Sequence, residues 1–191
     1  MPPDREFDPD DNFANGFRAD AMQPGDDDTP EALVWQLLLL INPGDEEAAL
    51  QQFAAYQEVL AEADPHDAEP AWLLKDVIDW RSGFFVDADD AATFIDSIAE
   101  LAARWNLRID WGVEDASDDD FLVVTDVATL MAVAYDRLRE YGYTLWTWNT
   151  STGRDSEDAH GGWIAHSRDD EAMRAIAHAL GIELRAGRDA F

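Results

Sequence analysis

The spacing of apolar residues changes near residue 106, and this constrains the fold more than any other feature of the chain. Before it, apolar residues recur every three or four positions. One set is Leu33, Leu37, Leu40 and Ile41, broadened by Trp35; a second is Ala49, Phe53, Tyr56 and Leu60. Trp72, Leu73, Val77 and Trp80 make a third, and Phe94, Ile95, Ile98, Leu101 and Trp105 a fourth. That period belongs to helices with one buried stripe. After residue 106, Leu107, Ile109 and Trp111 alternate with Arg108 and Asp110, the two-residue period of a strand with one buried face.

Boundary residues sharpen the reading. Thr29 caps a first helix with Pro30 and Glu31 in its first turn, and Asn42-Pro43-Gly44 stops it. Asp45 caps the second helix, Asp64-Pro65-His66-Asp67 breaks it, and the third ends near Gly83. Phe84-Phe85-Val86 reads either as a short strand or as a staple before a helix capped by Asp87 or Asp89 and stopped at Asn106. Beyond it, Phe121-Leu122-Val123-Val124 is a second strand, apolar enough to be central. Thr125 then caps a helix with Leu130, Val133, Ala134 and Leu138 inside. Residues 143–150 and 162–165 are two more strands. Ser167 caps a last helix closed by Gly181, and Ile182-Glu183-Leu184 adds a fifth strand. The order after residue 106 is therefore β-β-α-β-β-α-β. The expected class is α+β: an N-terminal helical layer followed by a mixed or antiparallel sheet of about five strands.

Residues 1–30 read as a disordered acidic tail and residues 31–191 as a single domain. Five prolines interrupt the tail, and Phe7, Phe13 and Phe17 are its only large aromatics, either scattered apolar residues or a short binding motif. Acidity extends beyond it. The chain holds 42 acidic and 13 basic residues, a formal net charge of −29. The first 31 residues account for −8, leaving −21 for the other 160. The choice of residue is skewed: 29 acids are Asp, and Lys75 is the sole lysine among 12 arginines. Genome bias, a high-salt interior and attraction of a basic partner would each produce this pattern.

Such a charge opposes direct binding of a phosphate backbone. No apolar run approaches the length of a membrane helix, and residues 1–6 lack the character of a secretory leader, so a cytoplasmic, non-membrane protein is expected. With no cysteine, thiol catalysis and Cys-ligated metal sites are excluded. No phosphate-binding glycine loop is present; Gly161-Gly162 precedes a strand, not a helix. The acidic turns beginning at Asp87 and Asp115 place Ala92 and Asp120 where a calcium loop needs glycine, so neither is an EF-hand. No metal or cofactor is expected.

The segment Tyr143-Thr144-Leu145-Trp146-Thr147-Trp148 stands out. Two-residue alternation puts Trp146 and Trp148 on one face and Leu145 and Thr147 on the other. The Trp pair either packs under a helix or lies on an open face as a binding anchor, and Trp163 joins it if the two strands form a hairpin. The connection over residues 151–162 is polar, glycine-rich and longer than a tight hairpin needs. Its Asp155, Asp158 and His160 are candidate binding residues, although their spacing, even with His166, matches no metal motif.

Leu145-Trp146-Thr147-Trp148-Asn149-Thr150, followed by Gly162-Trp163-Ile164-Ala165, resembles a bacterial domain family of unknown function over about residues 31–186. The resemblance implies no activity, cofactor or site residue. Three functional readings follow. The first is a non-enzymatic acidic binding protein, of the immunity or antitoxin-like inhibitor type, that covers a basic protein partner. The second is an enzyme or small-ligand binder with its site near the 143–166 hairpin. The third is acidity from composition alone, with function not readable in the sequence.

Overall fold

A computed structural model describes residues 29–63, 70–148 and 159–190. Residues 1–28, including the expected tail, lie outside the described residues, as do the break at 64–69 and positions 149–158. The described chain forms helices α1 (Pro30–Ile41), α2 (Glu46–Glu62) and α3 (Pro70–Val77), strand β1 (Gly83–Asp87), and helices α4 (Ala91–Ala103), α5 (Asp119–Val124) and α6 (Val127–Glu140). Strands β2 (Tyr143–Trp148) and β3 (Ala159–His166), helix α7 (Asp170–Ala179) and strand β4 (Leu184–Ala186) complete it.

The class is α+β, with N-terminal helices followed by an antiparallel sheet. It has four strands, in the order β1-β3-β2-β4. Helices cover both faces. Alternation in β2 and β3 sends Trp146, Trp148, Trp163 and Ala165 into one core with α1, α2, α3 and α7. Leu145 and Ile164 enter the opposite core, where Phe84 and Val86 of β1 meet Phe94, Ile98 and Leu101 of α4 and Leu130, Met131 and Ala134 of α6. Both faces being covered explains why β2 and β3 are buried almost throughout.

Local chemistry sets several boundaries where expected. The Thr29 hydroxyl accepts from Ala32 N, and the Asp45 carboxylate accepts from Ala48 N. The cap of α4 is Asp90, a step beyond the candidates Asp87 and Asp89; its carboxylate accepts from both the backbone N and the hydroxyl of Thr93. Those two bonds hold the Asp90 carboxyl below the usual range. For α6 the cap is Asp126, not Thr125, whose hydroxyl instead donates back to Phe121 O. At the last helix Ser167 opens a short 3-10 turn, and α7 begins at Asp170.

Three strand assignments change, and β-β-α-β-β-α-β is not the observed order. After residue 106 the described chain runs α5, α6, β2, β3, α7, β4, and β1 lies earlier, at Gly83–Asp87. Leu107–Trp111 is not a strand. Asn106 adopts a left-handed backbone (φ 56°), and Leu107 N donates to Ala102 O, the closure that turns a helix end back on itself. Leu107 is thus half-buried because the end of α4 folds it inward. The same closure displaces β4: Gly181 is left-handed (φ 73°), Ile182 N donates to Ala177 O, and Ile182 is buried before the strand begins at Leu184. Phe121–Val124 belongs to α5, not to a strand. The Asp118 carboxylate accepts from Asp120 N and Phe121 N and starts a helical turn, leaving Val123 85% and Val124 80% exposed.

Candidate functional site

The hairpin joins three tryptophans on one face. Trp146 stands opposite Trp163 in the ladder, and the rings of Trp148 and Trp163 lie 5.5 Å apart, tilted by 51°. All three are buried. Trp146 packs beneath α7, with the Arg174 guanidinium 4.9 Å from its ring centroid. Of the two placements open to the Trp pair, the structure shows packing under helices. Asp155 and Asp158 lie outside the described residues. His160 is buried within β3, which begins at Ala159, so Gly161 and Gly162 lie inside the strand.

Gly162 is required where it stands. A side-chain carbon there would collide with the Trp146 carbonyl oxygen and with the Phe84 ring, which covers the glycine from β1. Gly83 has the same constraint: a side-chain carbon would come within 2.7 Å of Ile78 Cγ2 and 2.8 Å of Gly162 O. These glycines let β1 and β3 approach closely beneath a cleft of about 220 Å³. Lys75 and Ile78 contribute from α3 and the turn after it, Phe85 from β1, Trp148 and Trp163 from the hairpin, and Ser97 from α4. The Lys75 ammonium sits 4.2 Å from the centroid of the Phe85 ring and 5.5 Å from that of Trp72. Trp80 stands at the rim, 63% exposed.

Two polar clusters were not anticipated from sequence. In the first, Asn42, Gln52 and Ser82 are buried where α1, α2 and the turn before β1 meet. Gln52 donates to Ser82 Oγ (2.7 Å) and to Asp79 Oδ1, Ser82 donates to Asn42 Oδ1, and Asn42 donates to Gln52 Oε1 and Leu38 O. Arg104 reaches in from the end of α4 to the carbonyl of Arg81 (2.6 Å), and burial lowers its pKa from the ordinary arginine value. The bonds close on one another, so this cluster positions elements and offers no free group for chemistry. In the second, Thr144 donates to Asp170 Oδ1 while Arg139 bonds both, tying α6 to the start of α7. Neither cluster has a sequence signature, because its members meet only after the helices pack.

A second groove, about 550 Å³, runs along the outside of α4. Ile95, Leu107, Ile109, Trp111 and Val113 give it an apolar floor, and Glu114 and Asp115 lie along its wall. No Lys or Arg occurs between Arg108 and Arg137, whereas eight acids do. Among the described ion pairs, Asp110 is matched by Arg137 and Asp136 by Arg188. Glu114, Asp115, Asp118, Asp120 and Asp126 are exposed and enter none of those pairs. Bonds from the hydroxyl and backbone N of Ser117 hold the Asp115 carboxyl below the usual range, and the backbone N of Thr129 does the same for Asp126. Both stay ionised into mildly acidic solution. Among the described residues no three His, Asp or Glu side chains converge as a metal site would require. None of the helices described is long and apolar enough to cross a membrane.

A family model described as Domain of unknown function (DUF6630) matches residues 33–187. No curated protein and no solved structure matches the chain.

Proposed function

The chain belongs to the DUF6630 family of unknown function, and from that premise we propose that it is a non-enzymatic acidic binding protein that covers a basic protein partner, in the manner of an immunity protein or antitoxin-like inhibitor. One observation carries the reading: Glu114 and Asp115 line an apolar groove along α4, and the exposed Asp118, Asp120 and Asp126, which enter none of the described ion pairs, follow in the same stretch of chain as the exposed Val113, Val123 and Val124. Carboxylates alone attract any cation. Apolar surface beside them adds the desolvated contact that slows dissociation once a basic segment has arrived.

Charge acts first, on the rate. A strongly acidic surface raises association with a basic protein from the ordinary 10⁵–10⁶ M⁻¹s⁻¹ toward about 10⁸ M⁻¹s⁻¹ at low salt, and screening removes that gain. Arginines offset it only in part: Arg137, Arg139, Arg168, Arg185 and Arg188 are each paired with a carboxylate, while Arg108 lines the groove itself and enters none of the described ion pairs.

The test has two stages. Proteins bound from an extract of the source organism at physiological salt are identified, and the tightest basic one is purified. Its association rate is then measured against salt for the native chain and for the combined variant E114Q/D115N/D118N/D120N. Asparagine preserves the turn bonds made by Asp115 and Asp118. The expected outcome is a rate that falls steeply with salt and is about tenfold lower in the variant. Recovery of no basic partner, or a rate indifferent to salt and to the four substitutions, overturns the reading.

A further inference from the structure

The two edges of the sheet are finished differently. β4 closes one edge with three residues, carries the exposed Arg185, and runs at once into a 3-10 turn at Gly187–Asp189. Short, charged edges of this kind resist pairing with another chain. β1 closes the other edge with Gly83-Phe84-Phe85-Val86-Asp87. It has no proline and no charge before Asp87, and among the described residues no strand pairs with its outer side. Phe84 and Val86 point into the core beneath α4. Phe85 points the other way and is 45% exposed, with the exposed Trp80 on the same cleft. β3 gives Phe85 no side chain across the ladder, because the residue opposite is Gly161. An open apolar edge is a template for a further strand.

We propose that β1 is a dimerisation edge: it pairs antiparallel with β1 of a second copy about a two-fold axis at Phe85, joining two four-stranded sheets into one. Symmetry then fixes the register. Phe85 faces its own copy, Phe84 faces Val86, Gly83 faces Asp87, and just beyond the strand ends Arg81 faces Asp89. Charge selects this centre. Arg81, Asp87 and Asp89 are exposed and enter none of the described ion pairs, and the Asp79 carboxylate at the Arg81 end is already turned to Gln52 and to the backbone N of Arg81. Lys75, 4.2 Å from the Phe85 ring centroid, lies on the diagonal toward Asp87 of the second copy. Centring on Asp87 instead would set like charges face to face. Five strand residues and two exposed rings make a small interface, so the dimer is weak and reversible. A net charge of −29 on each copy opposes it, and salt therefore strengthens it, the opposite sign to capture of a basic partner. The edge and the acidic groove are independent, and either can fail without the other.

Sedimentation velocity of the 191-residue chain is expected to show a mass that rises with concentration from one chain toward two, and rises further between about 0.05 and 0.5 M salt. Register is read by cross-linking. The chain holds no cysteine, so a single introduced thiol can bridge only to a second copy. Directly opposed residues have Cα atoms about 4.5–5.5 Å apart, within disulfide range, whereas the two Asp87 positions lie about 13 Å apart. Phe85→Cys should therefore oxidise to a covalent dimer at least tenfold faster than Asp87→Cys or the distant Val123→Cys. Arg81→Glu should weaken association about fivefold, and R81E/D89R should restore it, with thermal unfolding unchanged in both. A chain that stays monomeric at about 0.5 mM in high salt, beyond a Kd in the micromolar range, overturns the proposal and leaves the edge to a strand from another protein. Cross-linking of Asp87→Cys or Val123→Cys as fast as Phe85→Cys overturns it too, since the copies then meet in another register or through another surface. Failure of R81E/D89R to restore what Arg81→Glu removes does the same.

Discussion

The two faces of the sheet are built by different means. Under α1, α2, α3 and α7 the core is made of large indoles: Trp146 and Trp163 are almost completely buried, and a closed network of Asn42, Gln52 and Ser82 lies beside them. Under α4, α5 and α6 the core is chiefly Leu, Ile, Ala and Met with the edge-to-face pair Phe84–Phe94, and its aromatic rim is a stack of Trp105, Tyr143 and His166 with neighbouring rings 4.5 and 4.8 Å apart. Small aliphatic side chains fill a space whatever its exact shape. Large flat indoles fit only a space of matching shape, even though the N–H groups of Trp146 and Trp163 meet no acceptor among the described residues, and the polar network accepts one geometry only. The Trp face is thus the more specified of the two, and it is also the face whose indole walls reach the cleft. The aliphatic face carries the acidic groove on its outer helix.

The largest test of the comparison lies at the glycine that serves both faces. Gly162→Val drives a side chain into the Trp146 carbonyl and the Phe84 ring at once. We expect a loss of at least about 4 kcal/mol, read as loss of the cooperative unfolding transition in urea. Next come adjacent β3 residues that point in opposite directions. Trp163→Ala should cost about 3–5 kcal/mol and Ile164→Ala about 2–5 kcal/mol. Trp163→Phe, which discards the unmade N–H along with some volume, should cost much less than Trp163→Ala, and equal losses for the two would break the claim that the unmade indole N–H is a liability.

Ser82→Ala probes the network alone. It leaves Asn42 Oδ1 and Gln52 Nε2 each without one bond, and a destabilisation of about 1–3 kcal/mol by urea unfolding is expected. On the outer side, Val123→Ser should change stability by less than about 0.5 kcal/mol, because the side chain is 85% exposed, while weakening capture of a basic partner. The smallest effect concerns acid. Burial, followed by the charge of Arg168, holds His166 below its ordinary value, partly offset by Asp169. On acidification the unfolded chain binds that proton first, so the His166 contribution to stability declines as pH falls below about 6.5. His166→Gln lacks this decline; the melting temperatures of the two proteins should therefore diverge by no more than about 2 °C between pH 7.5 and 5.5.

The parts legible in the sequence were those decided by neighbours within one turn. Thr29 and Asp45 cap helices because a side-chain oxygen three residues from an unpaired N–H needs nothing else. The partition of Trp146 and Trp148 from Leu145 follows from strand geometry, and Trp163, across the ladder from Trp146 and on the same face, follows once the two strands form a hairpin. The errors share a cause. Leu107 and Ile182 each follow a left-handed residue that ends a helix, and the returning hydrogen bond buries them without a strand. Periodicity records that a residue is buried and is blind to whether a partner strand or a helix end buries it. Val123 and Val124 misled for a related reason: an apolar run implies burial, but Asp118 had already begun a helical turn that points them outward.

By itself, the sequence determined the class, the helical first third, the alternating hairpin and the charge of −29. These depend on local propensity and on counting. The tertiary structure alone decided which strands pair, which tryptophans are buried, and where the surplus carboxylates meet an apolar groove. It alone brought the single lysine, over the Phe85 ring, into one cleft with the hairpin tryptophans. Those juxtapositions join residues as far apart as Lys75 and Trp163, and only the packing of helices on a closed register of strands brings such residues within reach of one another.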